Sequence, residues 1–253
     1  MNQDEYRDVR IYCMFLGYPR SGHSLVGALL NAHQEVVMAH ELDALSHIKQ
    51  GISRDQLFQK ILDADKSFVQ TGAQWKEYSY KVPNQWQGKY NKLQIIGDKK
   101  GGRSALLLQN EPQLLDKLES VVGVPVYIIH VVRNPFDNIA TMSHKNRLTL
   151  SQSIENHLGR CRFIDQFSGF FPDSRFITIH HEDIIENPAE EIVRLCRFLG
   201  IEAGQPYLND CSSIVFKSPS KTRNTVQWNQ DMIESVEQAI CDIPFLKKYT
   251  FKN

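Results

Sequence analysis

The residues best suited to chemistry in this chain are cations in two short segments that could bind anions. The first segment, GYPRSGHS from Gly17 to Ser24, has the frame G-x-x-x-x-G-x-S of a phosphate-binding loop. A nucleotide triphosphatase would carry lysine directly before that serine, where this chain has His23, and the permanent charge lies at Arg20 instead. An ordinary glycine turn is the alternative interpretation of this frame by itself.

The apolar residues that follow the loop recur at helical spacing, so the loop is expected to open a helix. Backbone N–H groups then converge where the helix dipole favours an anion, and the Arg20 guanidinium adds a bidentate donor. The residues expected to bind the anion are Arg20, Ser21, Gly22, His23, Ser24 and Leu25.

The second segment is VVRNPFD, from Val131 to Asp137, at the end of an apolar run. Asn134 can cap a helix whose first residue is Pro135, which places Arg133 at the carboxyl end of a strand, the edge of an α/β sheet where ligands bind. Thr141 lies about two helical turns further on and offers a hydroxyl. A salt bridge from Arg133 to Asp137 is the alternative use of this arginine.

The elements that must position these residues alternate along the chain. Helix signals are clearest after Glu186, where Asn187 and Glu190 could form a capping box around Pro188 and Gly200 suits the end of the helix. Alternating strands and helices predict an α/β fold, a central parallel sheet flanked by helices on both faces, in one domain over residues 1–253. The predicted strands are Ile11–Gly17, Val36–Met38, Leu93–Ile96, Val126–Val132 and Phe176–Ile179.

Three segments are expected to border a site, and the first of them lacks a clear period. Ser67–Lys92 carries six aromatic residues among polar ones and is interpreted as an insert on the substrate side, or equally as an irregular loop packed by its own aromatics. Ser143–Phe171 is expected to shape the same pocket. Residues 210–228, which include the basic stretch Lys217–Trp228, are expected to form a covering loop.

Composition limits the class of protein. The 253 residues are 42% hydrophobic and 23% charged with no formal net charge, so neither nucleic acid nor insertion into a membrane is expected. Residues 1–10 carry no apolar signal segment, and the longest apolar run is too short to span a bilayer. Five scattered cysteines without a CxxC pair favour reduced thiols in the cytoplasm and no metal site.

Both anion segments resemble those of sulfotransferases that use PAPS (3′-phosphoadenosine 5′-phosphosulfate). The first is similar to the 5′-phosphosulfate loop P-[K/R]-S-G-T-[T/S]-x, with His23 where threonine is usual, and the second resembles the 3′-phosphate element R-[N/D]-P-x-D followed by a hydroxyl residue, here Thr141. His181-Glu-Asp-Ile, followed by Pro188 and a helix ending in Phe-Leu-Gly200, resembles a third family element. The resemblance implies a P-loop-like sulfotransferase fold, PAPS as co-substrate and PAP as product.

The resemblance also implies roles for single residues. Glu41, shortly after the second strand, stands where several branches of the family have a catalytic glutamate, and His40 is the reserve base. Lys99, in an element similar to G-[D/E]-K-[S/T]-P, is implied to contact the sulfuryl group or the acceptor. His181 replaces a tyrosine near adenine, and Arg223, with Lys221 behind it, is the candidate for a basic contact to the 3′-phosphate.

Two other functions are compatible with the same residues. A P-loop nucleotide kinase with a degenerate loop would need a substitute for the missing lysine, and a non-catalytic nucleotide-binding protein would need neither Glu41 nor Lys99. The sequence does not identify the acceptor, for which a hydroxyl of a small molecule or a glycan is expected. It also leaves open whether the protein is a monomer or a homodimer.

Overall fold

A computed structural model describes residues 5–75 and 77–252. Seven strands are present in this part of the chain: β1 Ile11–Gly17, β2 Val36–His40, β3 Gln74–Trp75, β4 Tyr78–Ser79, β5 Ile95–Lys99, β6 Val126–Val132 and β7 Phe176–His180. The helices are α1 His23–Asn31, α2 Ala44–Lys49, α3 Arg54–Gln70, α4 Gly101–Asn110, α5 Leu114–Val122, α6 Pro135–Asn146, α7 Leu150–Ser168, α8 His181–Glu186, α9 Pro188–Leu199, α10 Gln205–Ser213 and α11 Gln230–Asp242.

Five of the strands form one parallel sheet in the order β2-β5-β1-β6-β7. Every residue of β1 is buried, because alternate side chains enter two different cores: Tyr12, Met14 and Leu16 pack on one face and Ile11, Cys13 and Phe15 on the other. Helices cover both faces, as the continuous apolar runs of the strands predict. The predicted fold class is confirmed.

The predicted strands are confirmed with one shift. The strand expected at Leu93–Ile96 begins at Ile95 and continues to Lys99. Its last three residues, Gly97-Asp98-Lys99, have the composition of a turn, yet they are buried and pair as a strand. Gly97 and Asp98 pair with both β1 and β2, and Lys99 pairs with β2. The shift matters because it places Lys99 at the carboxyl end of the sheet.

The helix predicted after Glu186 is present as α9, with Pro188 as its first residue and Gly200 in the left-handed conformation at its end. The expected capping box is wrong, because the Asn187 side chain makes no capping hydrogen bond. Asn187 also lies at the end of α8, where its N–H donates to the Asp183 carbonyl. Its backbone conformation therefore has to join two helices.

The aromatic segment Ser67–Lys92 divides into three parts. Ser67–Gln70 is the last turn of α3, β3 and β4 form a short antiparallel hairpin, and turns lead on to β5. Trp75, Tyr78 and Tyr80 border the cavity described below, while Tyr90 packs on the core. The interpretation of the segment as an insert on the substrate side stays a prediction.

The cysteines are free thiols, and four of the five are buried, with Cys241 exposed. Within the described ranges, no helix combines the length and apolar character needed to cross a membrane.

Gly97 tests the close approach of β5 to β1. A Cβ atom there would lie 2.0 Å from the Cys13 carbonyl oxygen, whereas a Cβ at Gly159, inside α7, would have no neighbour within 4 Å. Gly97→Ala should therefore lower the free energy of unfolding in urea by about 3 kcal/mol. Gly159→Ala should raise it by about 0.5–1 kcal/mol, because alanine favours a helix. Equal effects of the two substitutions would contradict the strand pairing.

Candidate active site

A cavity of about 640 Å³ opens at the carboxyl ends of the sheet strands. Its lining includes the loop after β1, the residues that follow β2 and β5, the start of α4, and parts of α6 and α7. The hairpin and the segment after α10 complete it through Trp75, Tyr78, Phe216, Ser218 and Ser220. Both anion-binding segments predicted from the sequence border this one cavity.

The first segment forms a loop that leads into α1 through Gly22, which has a φ of 101°. Arg20 lines the cavity and also has a positive φ, 72°, which is uncommon for a residue with a side chain. The first turn of α1 leaves backbone N–H groups of Gly22, His23 and Ser24 without intrahelical acceptors. These N–H groups are the hydrogen-bond donors that the loop has available for an anion.

Two residues expected to bind the anion do not reach the cavity. Ser21 is fully buried, and its hydroxyl donates to the Tyr18 carbonyl at 3.1 Å. Leu25 is buried in the core and donates its N–H to the Gly22 carbonyl at 3.0 Å. The structure therefore places neither side chain in the cavity lining, and a contact of either residue with the anion stays a prediction.

The imidazole of His23 points back into the protein rather than toward the cavity. Its Nε2 lies 3.2 Å from the Leu16 carbonyl oxygen. Cβ atoms at Gly17 and Gly101 would lie 2.4 and 2.5 Å from Nε2, so these two glycines provide the space for the ring. Burial, with Lys99 as a further cause, lowers the pKa of His23 to about 4, so the ring is neutral at physiological pH.

In the second segment, Arg133 is 7% exposed and lies against the first. Its Nη1 is 3.3 Å from Thr141 Oγ1 and 3.4 Å from the Arg20 carbonyl oxygen, and its Nη2 donates to the Ser220 carbonyl at 2.6 Å. Its buried Nε has no hydrogen-bond partner among the described residues. Burial lowers the pKa of Arg133, as expected for a cation held out of water.

The expected cap of α6 is confirmed, since the Asn134 side chain accepts the Phe136 N–H and Pro135 is the first helical residue. The alternative pairing of Arg133 with Asp137 is not formed. Asp137 instead pairs with Arg223, whose Nη2 lies 2.8 Å from Asp137 Oδ2.

Arg223, the candidate for the contact to the 3′-phosphate, therefore faces Asp137 rather than the cavity. It is 4% exposed, donates to the carbonyls of Thr250 and Phe251, and is not part of the cavity lining. Lys221 does not line the cavity either. The carboxylate of Asp137 binds both the side chain and the N–H of Arg223 and so ties the short turn Thr222–Thr225 to α6.

Lys99 occupies the floor of the cavity and is 1% exposed. Its Nζ lies 2.6 Å from Glu41 Oε1, 3.0 Å from Ser24 Oγ and 3.4 Å from His40 Nε2. The other Glu41 oxygen, Oε2, accepts from Lys100 Nζ at 2.5 Å. Glu41, the candidate base, and His40, its reserve, therefore both lie next to the ammonium group of Lys99, the candidate contact to the sulfuryl group.

The two candidate bases in this cluster, Glu41 and His40, differ in charge. Burial would raise the pKa of Glu41, but the charge of Lys99 and the hydrogen bonds from Lys100 and Lys99 lower that pKa to about 2. Burial and Lys99 lower the pKa of His40 to about 3. Glu41 is thus an anion and His40 a neutral ring stacked on Phe68 at 4.1 Å.

Asp98 fixes the turn that carries Glu41, and sequence reasoning did not identify it. Its carboxylate accepts the N–H groups of Leu42 at 3.0 Å and Ala44 at 2.8 Å. Glu41 and Asp43 both have positive φ angles, 67° and 64°, so the turn depends on such outside contacts. Burial raises the pKa of Asp98 to about 6.

Gly27 was also missed, although it determines where Lys99 lies. A Cβ atom at Gly27 would be 2.8 Å from Lys99 Cγ, so the lysine stem crosses α1 at the glycine. A glycine inside a helical pattern is the sequence signal for such a close approach.

Asn138 and His157 form a second layer behind the loop. In the orientation that its neighbours require, the Asn138 amide accepts the Ser21 N–H and donates to the Pro19 carbonyl and His157 Nδ1, each at 3.2 Å. His157 in turn packs against the Tyr18 ring at 4.5 Å. No short motif marks these residues.

His181 covers the other side of the loop and lines the cavity. A Cβ at Gly22 would lie 2.3 Å from its Nδ1, which is buried and has no hydrogen-bond partner within the described ranges. Burial and the charge of Arg133 lower the pKa of His181 to about 3. The residue is placed to present a neutral ring to a ligand.

Residues 5–75 and 77–252 contain no group of three or more His, Cys, Asp and Glu side chains able to hold a metal ion. The cavity lining offers oriented N–H donors, Lys and Arg side chains, and the carboxylates of Glu41 and Glu77.

The sheet order, the loop before α1 and the paired anion segments define a P-loop-like nucleotide-binding fold of the sulfotransferase type. A model of the sulfotransferase family matches residues 14–205, and the chain belongs to that family and is a sulfotransferase. No curated protein matches the sequence.

Several solved structures share this fold at low sequence identity. The sulfotransferase domain of the Synechococcus PCC 7002 olefin synthase is 17% identical, with a TM-score of 0.58, over 92% of this chain and 95% of that chain. The sulfotransferase domain from the curacin biosynthetic pathway is 14% identical, with a TM-score of 0.58, over 95% and 98%. Mouse sulfotransferase SULT7A1, complexed with PAP, is 13% identical, with a TM-score of 0.51, over 96% and 90%.

The buried pair of Arg223 and Asp137 can be tested by its contribution to stability. Arg223→Met should lower the free energy of unfolding by about 3 kcal/mol, because it leaves a buried carboxylate without its main partner. The loss should be larger at pH 8 than at pH 5, since protonation of Asp137 removes the uncompensated charge.

The double variant Arg223→Met/Asp137→Leu should recover part of that loss in urea denaturation. Arg197→Met, at an exposed position of α9, is the control and should change little. A negligible loss of unfolding free energy in Arg223→Met would show that the pair does not hold the turn Thr222–Thr225 on α6.

Proposed function

We propose that this sulfotransferase takes its sulfuryl group from PAPS, transfers it to a hydroxyl group of a small-molecule or glycan acceptor and releases PAP. The observation that carries the proposal is the meeting of the two anion segments, where the Arg133 guanidinium lies 3.4 Å from the Arg20 carbonyl at one cavity. PAPS is anionic at both ends, so a single molecule would use both segments.

The proposed donor contacts follow from these positions. Arg20, Ser24 and the backbone N–H groups of Gly22, His23 and Ser24 bind the 5′-phosphosulfate, since a helix N-terminus and a guanidinium both suit an oxyanion. Arg133 and the Thr141 hydroxyl bind the 3′-phosphate, and His181 lies against adenine. The structure of the mouse relative contains PAP, which supports this choice of nucleotide.

In the proposed transfer, the acceptor oxygen bonds to sulfur as the bond from sulfur to the 5′-phosphate oxygen breaks. The bonding electron pair stays on the phosphate oxygen, where Arg20, the loop N–H groups and Lys99 stabilise the new charge. The acceptor proton passes to Glu41. Sulfuryl oxygens would compete with Glu41 for Lys99 and Lys100, and loss of either hydrogen bond raises the proton affinity of the carboxylate.

We propose further that residues 1–253 form one catalytic domain. In it the hairpin lies on the acceptor side, and residues 210–228 close over the nucleotide. We place the enzyme in the cytoplasm, where its free thiols remain reduced.

Nucleotide binding gives the first test. PAP without magnesium should raise the melting temperature, whereas a nucleotide kinase would respond to Mg-ATP instead. Arg20→Ala and Arg133→Ala should each weaken PAP binding by about 10- to 100-fold, because each removes charge-assisted hydrogen bonds. Arg197→Ala, on the exposed surface, should bind as the wild type does. Stabilisation by Mg-ATP but not by PAP would refute the donor assignment.

Glu41 is tested with an acceptor identified by screening hydroxyl compounds with labelled PAPS. Glu41→Gln should reduce kcat by about 100-fold or more, because the proton has no acceptor, while the Kd for PAP changes little. Full activity of Glu41→Gln on that acceptor would show that another group is the base.

A further inference from the structure

The cavity is strongly cationic for a chain without net charge. Its described lining includes seven Lys or Arg side chains and two Glu, and the neighbouring imidazoles of His23 and His181 are neutral. The proposed donor accounts for Arg20, Lys99 and Arg133. The remaining cations are expected to face the acceptor.

Three of the remaining cations already have carboxylate partners. Lys100 is bound to Glu41, Lys145 lies 3.2 Å from Glu77, and Arg103 lies 3.7 Å from Asp43. Glu77 and Asp43 therefore compensate much of the charge of Lys145 and Arg103 without any ligand.

Arg160, on α7, differs from those three cations. Its Nη1 is buried and has no hydrogen-bond partner among the described residues, although the side chain borders the cavity. Burial lowers the pKa of the guanidinium. A buried guanidinium nitrogen without an acceptor is costly and calls for a ligand that supplies one.

The position of Arg160 distinguishes it from the nucleotide contacts. One turn before it, His157 packs on the Tyr18 ring, so this face of α7 lies behind the start of the loop. Helix α7 also packs against α4, which begins directly after Lys99 and Lys100. Arg133 and His181, by contrast, lie against the loop itself, Arg133 at the Arg20 carbonyl and His181 at Gly22.

Aromatic rings make up another part of the lining. Trp75, Tyr78 and Phe216 are each more than one-third exposed, and Tyr78 packs edge-on against Phe216 at 5.4 Å. The cavity thus combines an apolar surface with a cation that lacks an acceptor.

We propose that the acceptor of this enzyme is itself an anion, with a carboxylate or other oxyanion group bound by Arg160 and an apolar or aromatic body next to the hydroxyl that is sulfated. The proposal rests on the proposed function, because it assumes that PAPS fills the remainder of the cavity.

The test uses protein saturated with PAPS, so that the sulfuryl position is filled, and probes that have no hydroxyl group to react. Phenylacetate and octanoate are compared with their neutral amides by thermal shift and by titration calorimetry. Each carboxylate should bind the wild type more tightly than its amide, and Arg160→Gln should weaken carboxylate binding by about tenfold while leaving amide binding unchanged. Arg160→Lys should retain part of the preference.

Arg162→Gln is the matched control, because it makes the same change on the same helix at an exposed position that lies outside this cavity. It should keep the full preference for carboxylates. Equal binding of carboxylate and amide by the wild type, or a preference that survives Arg160→Gln, would overturn the proposal.

The nucleotide is measured separately in the same variants. Wild-type protein that fails to bind PAP would contradict the proposed donor rather than the role of Arg160. A tenfold loss of PAP affinity in Arg160→Gln would assign the residue to the donor and would also overturn the anionic acceptor.

Discussion

A buried ammonium group has to be compensated, and the arrangement around Lys99 follows from that requirement. Its Nζ is surrounded by Ser24, at the start of α1, and by the consecutive residues His40 and Glu41 at the end of β2. The turn that carries Glu41 is held by Asp98, the residue directly before Lys99 in β5. One strand end thus supplies both the cation and the support for the carboxylate that balances it, which fixes the candidate base relative to the phosphate-binding loop.

The fold was largely predictable because its signals are local. Apolar runs of strand length gave the central strands, and Pro135, Pro188 and Gly200 mark helix boundaries where the chain has them. The errors arose where tertiary contacts override local preference. Asn187 serves two helices at once and cannot act as a simple cap, and Gly97-Asp98-Lys99 has a turn-like composition but pairs as a strand because its neighbours on both sides are strands.

The candidate site was predictable only where a short motif represents it. Arg20, Arg133 and Glu41 follow strand ends, Lys99 is the last residue of a strand, and the structure brings all four to one cavity. The sequence did not reveal that Arg223 pairs with Asp137 inside the protein. A basic loop has the same composition whether its arginine faces a ligand or a carboxylate. His23 shows the same limit: its ring fits only because Gly17 and Gly101, far apart in sequence, both leave space for it.

The crossing of Lys99 over Gly27 also bears on how this protein can change over time. Glycine inside a helix is about 1 kcal/mol less favourable than alanine, so helix propensity alone would favour alanine at this position. The methyl group would collide with the lysine stem and displace the ammonium from Glu41. A substitution that stabilises most helices is therefore closed to position 27, and a more heat-resistant descendant should gain its stability elsewhere.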